Sequence, residues 1–341
     1  MEKNCLVTKY KATVNDNSLL KVGEMFIDII EQESPTNQSN RLYLNTSNTS
    51  DLVVEVENGE ANITLDENMV SGWTNKITLF KSVTVPAPIF VRNGNYRLKV
   101  LSKYNLTELG RWGANILYNA ISVDTKYLKY STNMVTLISG LSGNIANIRG
   151  CTKLTRLYNL NLSSKNITGD LSDLAPLTKL TTLSLTNAKI TGGLSNLANL
   201  TKLTILALLN TKITGGLSDL APLTTLVQLD LENNPNITGG LSDLAPLTAL
   251  ESIGFIDTNI SGDIKDLRCP IKNMNVYRSG VRGELIEFVK TQRAVGRTTG
   301  ICSTAWWGQN ITFNGVVPSP SQLQLTWTEN TITLGNVTVN Q

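Results

Sequence analysis

The chain has 341 residues, a net charge of +3 and only 17% charged residues, which leaves no electrostatic footprint for nucleic acid or an anionic membrane. It contains no histidine, so Ser-His-Asp and Cys-His catalysis and His-ligated zinc are excluded. No apolar run reaches the roughly eighteen residues of a membrane span, and the opening MEKNCLVTKYKATV lacks a signal-peptide core. A soluble protein without a Sec-type export signal is expected. Cys5, Cys151, Cys269 and Cys302 are far apart with no C-x-x-C pair, which points to reduced thiols.

Residues 1–100 read as strands. Leu6, Thr8, Tyr10, Ala12 and Val14 alternate with polar neighbours, and Met25 to Ile30 and Leu52 to Val56 follow. Asn58-Gly59 is a hairpin signal, because both residues tolerate the positive φ of a type I′ turn. Short strands with frequent turns predict a β-sandwich of immunoglobulin-like size. From 101 to 140 the pattern loosens. Leu106, Leu109, Trp112, Ile116, Leu117 and Ile121 are spaced for a short amphipathic helix or an irregular coil, read as the cap over the repeats that begin next.

Residues 141–282 repeat one phrase, roughly L-x-x-L-x-L-x-x-x-x-I-T-G-G-L-S-x-L-A-x-L-T-x. Gly169, Gly192, Gly215, Gly239, Gly262 and Gly283 mark its period. The pairs Leu183/Leu185, Leu206/Leu208 and Leu229/Leu231 are i, i+2, which puts both members on one inward face of a short strand. Gly192-Gly193, Gly215-Gly216 and Gly239-Gly240 permit a tight turn. Ser218-Asp219 and Ser242-Asp243 then cap a short helical turn. No coil can bury its apolar face alone, so the coils must stack into one cooperative rod.

These residues carry a resemblance. L-x-x-L-x-L followed by I-T-G-x-L is similar to the leucine-rich repeat, especially the variant reading L-x-G-x-I-P, with Ile190, Gly192 and Leu194 on that half. The resemblance implies a solenoid with parallel strands on one side. At the family's buried asparagine position this chain has Lys165, Ala188, Thr211 and Thr258. Only the longer fourth copy offers Asn234 there, and Asn187 and Asn210 lie one residue earlier, so a continuous asparagine ladder is not expected. Ser195, Ser218 and Ser242 replace the family's proline.

Residues 283–300 hold Leu285, Phe288 and Val289 at i, i+3, i+4, which predicts an amphipathic capping helix. Residues 301–341 return to strands and form a small β-appendage. The fold class is thus mixed β and α/β: an N-terminal β-sandwich, a central leucine-rich-repeat solenoid and a C-terminal β-appendage.

Chemistry is sparse. Asp170, Asp173, Asp219, Asp243 and Asp263 recur because the coil recurs, and they read as caps rather than a calcium ladder. No catalytic residue, metal site or cofactor is nominated, and a non-enzymatic protein is expected. Partner-binding candidates are Trp306 and Trp307, whose rings stack on sugars or proteins when exposed, and the basic group Arg278, Arg282, Arg293 and Arg297. On the strand side the outward residues include Ser184, Ala207 and Asp230, which are small or weakly charged. The opening NCLVTKYKATVNDNSLLKVGEM and the closing LIEFVKTQRAVGRTTG, ITFNG and LTWTENTITLG resemble leucine-rich proteins of gut Bacteroidales and their tailed phages. That resemblance implies a structural or adhesive virion component, in head or tail, contacting other virion proteins, further copies of itself or a host-surface protein or glycan. The alternative is a bacterial recognition module whose strand face binds a protein or glycan.

Overall fold

A computed structural model describes residues 25–29, 40–46, 52–57, 63–64, 74–79, 87–91, 96–101, 106–110, 121–159, 167–304, 310–318 and 323–340. The predicted first strand, Leu6 to Val14, lies outside the described residues, as do Trp112, Ile116 and Leu117.

The repeats form a parallel ladder. Thr136–Asn144, Arg156–Asn159, Thr182–Ser184, Ile205–Ala207, Gln228–Asp230, Ser252–Gly254 and Asn273–Asn275 pair in register, one strand per coil. The inward leucines Leu183, Leu185, Leu206, Leu208, Leu229 and Leu231 are all fully buried. A second set of short strands carries the I-T-G phrase: Ile167–Asp170 pairs with Lys189–Thr191, and Ser261–Asp263 with Gly280–Glu284. The coil is closed by 3-10 turns such as Leu194–Leu197, Leu217–Leu220 and Leu241–Leu244, whose leucines point into the same core.

The glycine of I-T-G-G has two jobs at once. Gly239 sits at φ +114°, and a Cβ there would lie 2.8 Å from the Leu217 backbone nitrogen and 2.9 Å from Asp243 Oδ2. That carboxylate accepts the Gly240 N–H at 2.9 Å, as Asp219 accepts that of Gly216 at 3.1 Å. The aspartates therefore cap the turns through backbone N–H groups, and the glycine column leaves room for them.

The described parts of residues 101–140 differ from the expected helix or coil. Leu106–Gly110 and Ile121–Asp124 are strands. Leu106–Gly110 pairs with Asn40–Thr46 on one side and Thr136–Asn144 on the other, and Leu106 and Leu109 are fully buried. Long-range pairing overrides the local helical spacing. Further upstream, Met25–Ile29 and Leu52–Glu57 both pair antiparallel with Tyr96–Leu101, and Asn40–Thr46 pairs antiparallel with Ala87–Val91. The strand Thr136–Asn144 crosses the boundary expected at 140 and joins these strands to the repeats.

The other end behaves alike. Helix α1 (Leu285–Ala294) buries Leu285, Phe288, Val289 and Gln292. Gly300–Thr304 crosses the boundary expected at 300 and meets the repeat ladder at Asn273 and Ser303. Leu323–Trp327, Thr331–Leu334 and Val337–Asn340 extend it antiparallel. One apolar cluster runs from Met25 to Leu334.

Cys151, Cys269 and Cys302 are free and buried. Burial pushes each thiol up to about 12, so these are inert packing groups. Cys5 lies outside the described residues.

Candidate functional site

The outward positions of the parallel ladder are the place to look, because they are aligned by register rather than spent on the core. Tyr158, Ser184, Ala207, Asp230, Gly254 and Asn275 form one row across successive strands. Tyr158 is 38% exposed and Ala207, Asp230 and Asn275 are half-buried. Ser184 corrects the expectation of an open position, since it is only 2% exposed. Its hydroxymethyl group, aligned between Tyr158 and Ala207, is too short to reach past its neighbours.

At the centre of the face two carboxylates converge on a residue without a side chain. A Cβ on Gly254 would lie 2.7 Å from Asp230 Oδ1 and 3.0 Å from Glu232 Oε1. Gly254 therefore creates the space that both acids occupy. Burial pushes Asp230 up to about 6, against a hydrogen bond from the Glu232 N–H. Burial first, then the charges of Asp230 and Asp257, push Glu232 up to about 7, against a hydrogen bond from Asn275.

This pair gives stability a pH slope. A carboxyl group whose pKa rises on folding keeps its proton where the unfolded chain has lost it. Its contribution is full below about pH 4 and fades as pH rises through the folded values. Unfolding free energy should fall by roughly 2–4 kcal/mol between pH 4 and pH 8, most of it from Asp230, after discounting for the exposed part of Glu232. Urea titrations at both pH values measure this, and Asp230→Asn should flatten the slope. An equally steep slope in that variant would remove the assignment.

Beside the acids runs a rim of residues with positive φ: Asn187, Asn210, Asn233, Asp257 and Arg278, between +50° and +58°. Asparagine and aspartate tolerate this left-handed turn; arginine is the exception in the column. Arg278 pairs with Asp257, and its guanidinium lies 5.5 Å from the Tyr277 ring centre. Asn210 Nδ2 donates to Asn187 Oδ1 at 2.6 Å, an exposed asparagine contact one residue before the family's buried position.

The nominated residues that are described are not brought into one site. Trp306 and Trp307 lie outside the described residues. Arg278 is on the rim just described, and Arg282 is exposed on the last coil. Arg293 donates to the Thr328 carbonyl, and Arg297 to the Ile271 carbonyl at 3.1 Å and to Gln292 Oε1 at 2.8 Å, so both bind the cap together. Asp230 stands at the centre of the strand face, but its partner Glu232 and the rim residue Asp257 went unnominated. Glu232 lies two residues after Asp230, and that same-face spacing was the signal available in the sequence. Among the described residues no cluster of acidic or cysteine side chains suits a metal ion. No helix there is long and apolar enough to cross a membrane.

Parallel register, leucine columns and one strand per coil define a solenoid of leucine-rich-repeat type. No protein-family model matches the sequence, and no curated protein matches it. Similar solved structures include internalin C2 from Listeria monocytogenes, at 22% identity and TM-score 0.42, covering 62% of this chain and 82% of that one. The functional domain of InlJ from Listeria monocytogenes has 20% identity and TM-score 0.46, covering 65% of this chain and 44% of that one. A plant ice-binding protein has 18% identity and TM-score 0.45, covering 64% and 68%. None of these likenesses carries a ligand or partner over to this chain.

Proposed function

We propose that the protein is a non-enzymatic leucine-rich-repeat recognition module that binds a basic, extended segment of a partner protein across its strand face. The convergence of Asp230 and Glu232 over Gly254 carries this reading. On this face burial disfavours the charge of Asp230, and burial together with the charges of Asp230 and Asp257 disfavours that of Glu232. A lysine or arginine from a partner would relieve that repulsion and favour the ionised forms. Ala207 and Gly254 keep the adjacent surface low enough for a main chain to approach, with Tyr158 and Asn275 at either end of the row. The N-terminal strands, read as a β-sandwich, and the C-terminal strands close the two ends of the rod.

Selection of a random peptide library on the intact protein tests this. Enriched peptides should carry lysine or arginine, and Ala207→Trp should abolish their binding while the melting temperature holds. Enrichment without basic residues, or binding indifferent to Ala207→Trp, would sink the reading. Ala207 is the position to use, because a bulky group at buried Ser184 would disturb the fold. The place of action is a separate proposal, resting on the phrasing at the two ends of the chain: a virion surface facing a host. Mass spectrometry of purified virions tests it, and absence of the chain would remove it.

A further inference from the structure

We propose that the rim beside the strand face is a second site, for a neutral sugar unit. Asn233, Pro235, Asp257, Thr258, Asn259 and Arg278 line an open cavity of about 350 Å³, at the small end of the roughly 300–1,000 Å³ of small-molecule sites. It sits where the fourth copy carries its extra residue, beside Pro235. The room suits a mono- or disaccharide.

The wall chemistry selects the ligand. Asp257 and Arg278 neutralise each other across the rim, so the cavity offers planar hydrogen-bonding groups without a net charge. Asn259 Nδ2 donates to the Pro235 carbonyl at 2.7 Å, which leaves its carbonyl oxygen as an acceptor. The exposed Asn233 carboxamide makes no hydrogen bond to another described residue. Thr258 is committed inward, donating to the Phe255 carbonyl at 2.7 Å, and forms the floor. Carboxamide, carboxylate and guanidinium groups together offer both donors and acceptors, which matches vicinal hydroxyls that do both. The Pro235 ring adds apolar surface for a sugar face. An anion would have to displace Asp257 from Arg278 next to Glu232, and a cation is better served by Asp230 and Glu232.

Arg278 supplies an independent sign. It holds φ +53° in a column otherwise made of asparagine and aspartate, and strain of this kind gathers at binding sites. Asparagine at 278 would suit the backbone better, so a variant exists that removes the guanidinium without threatening the fold.

Saturation-transfer NMR on the full chain with maltose, cellobiose, lactose and diacetylchitobiose, backed by a neutral glycan array, tests the site. At least one neutral probe should bind. Arg278→Asn and Asp257→Asn should each weaken it at least about 10-fold, as expected for loss of a charged hydrogen-bond partner, with Arg278→Asn melting no lower than the native protein. Ala207→Trp should leave sugar binding unchanged, which separates this site from the strand-face reading. No neutral probe bound, binding untouched by both rim variants, or preference for sialylated or phosphorylated probes would each overturn the proposal.

Discussion

Asn234→Ala is expected to lower the unfolding free energy by about 3–5 kcal/mol, because the Thr211 N–H and the Leu231 carbonyl lose their close polar partner at ~1–3 kcal/mol each, while the Leu208 and Glu232 carbonyls keep the Thr211 hydroxyl and the Asn210 N–H. Asn234 is 1% exposed. Its Oδ1 accepts from the Thr211 N–H at 3.0 Å and the Thr211 hydroxyl at 2.8 Å. Its Nδ2 reaches the carbonyls of Leu208 at 2.6 Å, Leu231 at 2.9 Å and Glu232 at 3.2 Å. One side chain thus ties two coils together. Neighbouring coils do less with a hydroxyl: Thr258 donates to Phe255 at 2.7 Å and Ser279 to Val276 at 2.6 Å, each within its own coil. Asn234→Thr should therefore recover about half the loss, since one of the carbonyls regains a donor. Calorimetry on the three proteins decides it. A melting point for Asn234→Ala within a degree or two of the native value would contradict the role, since the expected loss corresponds to about 10 °C.

Trp327→Ala should also cost about 3–5 kcal/mol, the usual range for truncating a buried aromatic. Trp327 is 2% exposed and packs edge-to-face on Phe288 of α1, with ring centres 6.2 Å apart. Its indole N–H donates to the Arg297 carbonyl at 3.0 Å, and the Arg297 guanidinium lies 5.0 Å from its ring. Gly300 gives way to it, since a Cβ there would fall 2.2 Å from the indole. The ring is the bolt between the last repeat, its capping helix and the terminal strands. Hydrogen exchange in Trp327→Ala should show Gly300–Thr304, Leu323–Trp327 and Thr331–Leu334 losing protection first. Uniform loss along the whole solenoid would mean the ring stabilises no separate joint.

The repeats were legible because each coil repeats one local rule. Leu183 and Leu185 face inward wherever the coil is placed, and Gly239 is required by its own φ together with the turn that follows. Helix α1 was legible for the same reason, from Leu285, Phe288 and Val289. Leu106 and Leu109 misled because helical spacing there competes with strand pairings to residues about 30 to 65 positions away, as in the pairings of Leu109 with Leu137 and Leu44. Trp306 and Trp307 attracted notice as a dense pair, yet among the described residues the tryptophan with a structural task is Trp327, whose neighbours Phe288 and Arg297 are distant in sequence.

The amino-acid sequence alone determined the period, the inward columns, the glycine turns and the aspartate caps, because these depend on contacts within a coil or on the identical contact to the next. Only the tertiary structure decided that Asp230 and Glu232 meet over Gly254, that Asp257 holds Arg278 on the rim of a cavity, and that both ends continue the repeat ladder. Those features arise between coils, where residues more than twenty positions apart are set side by side by register. At such places a single small residue, or one extra residue, changes what the surface can hold.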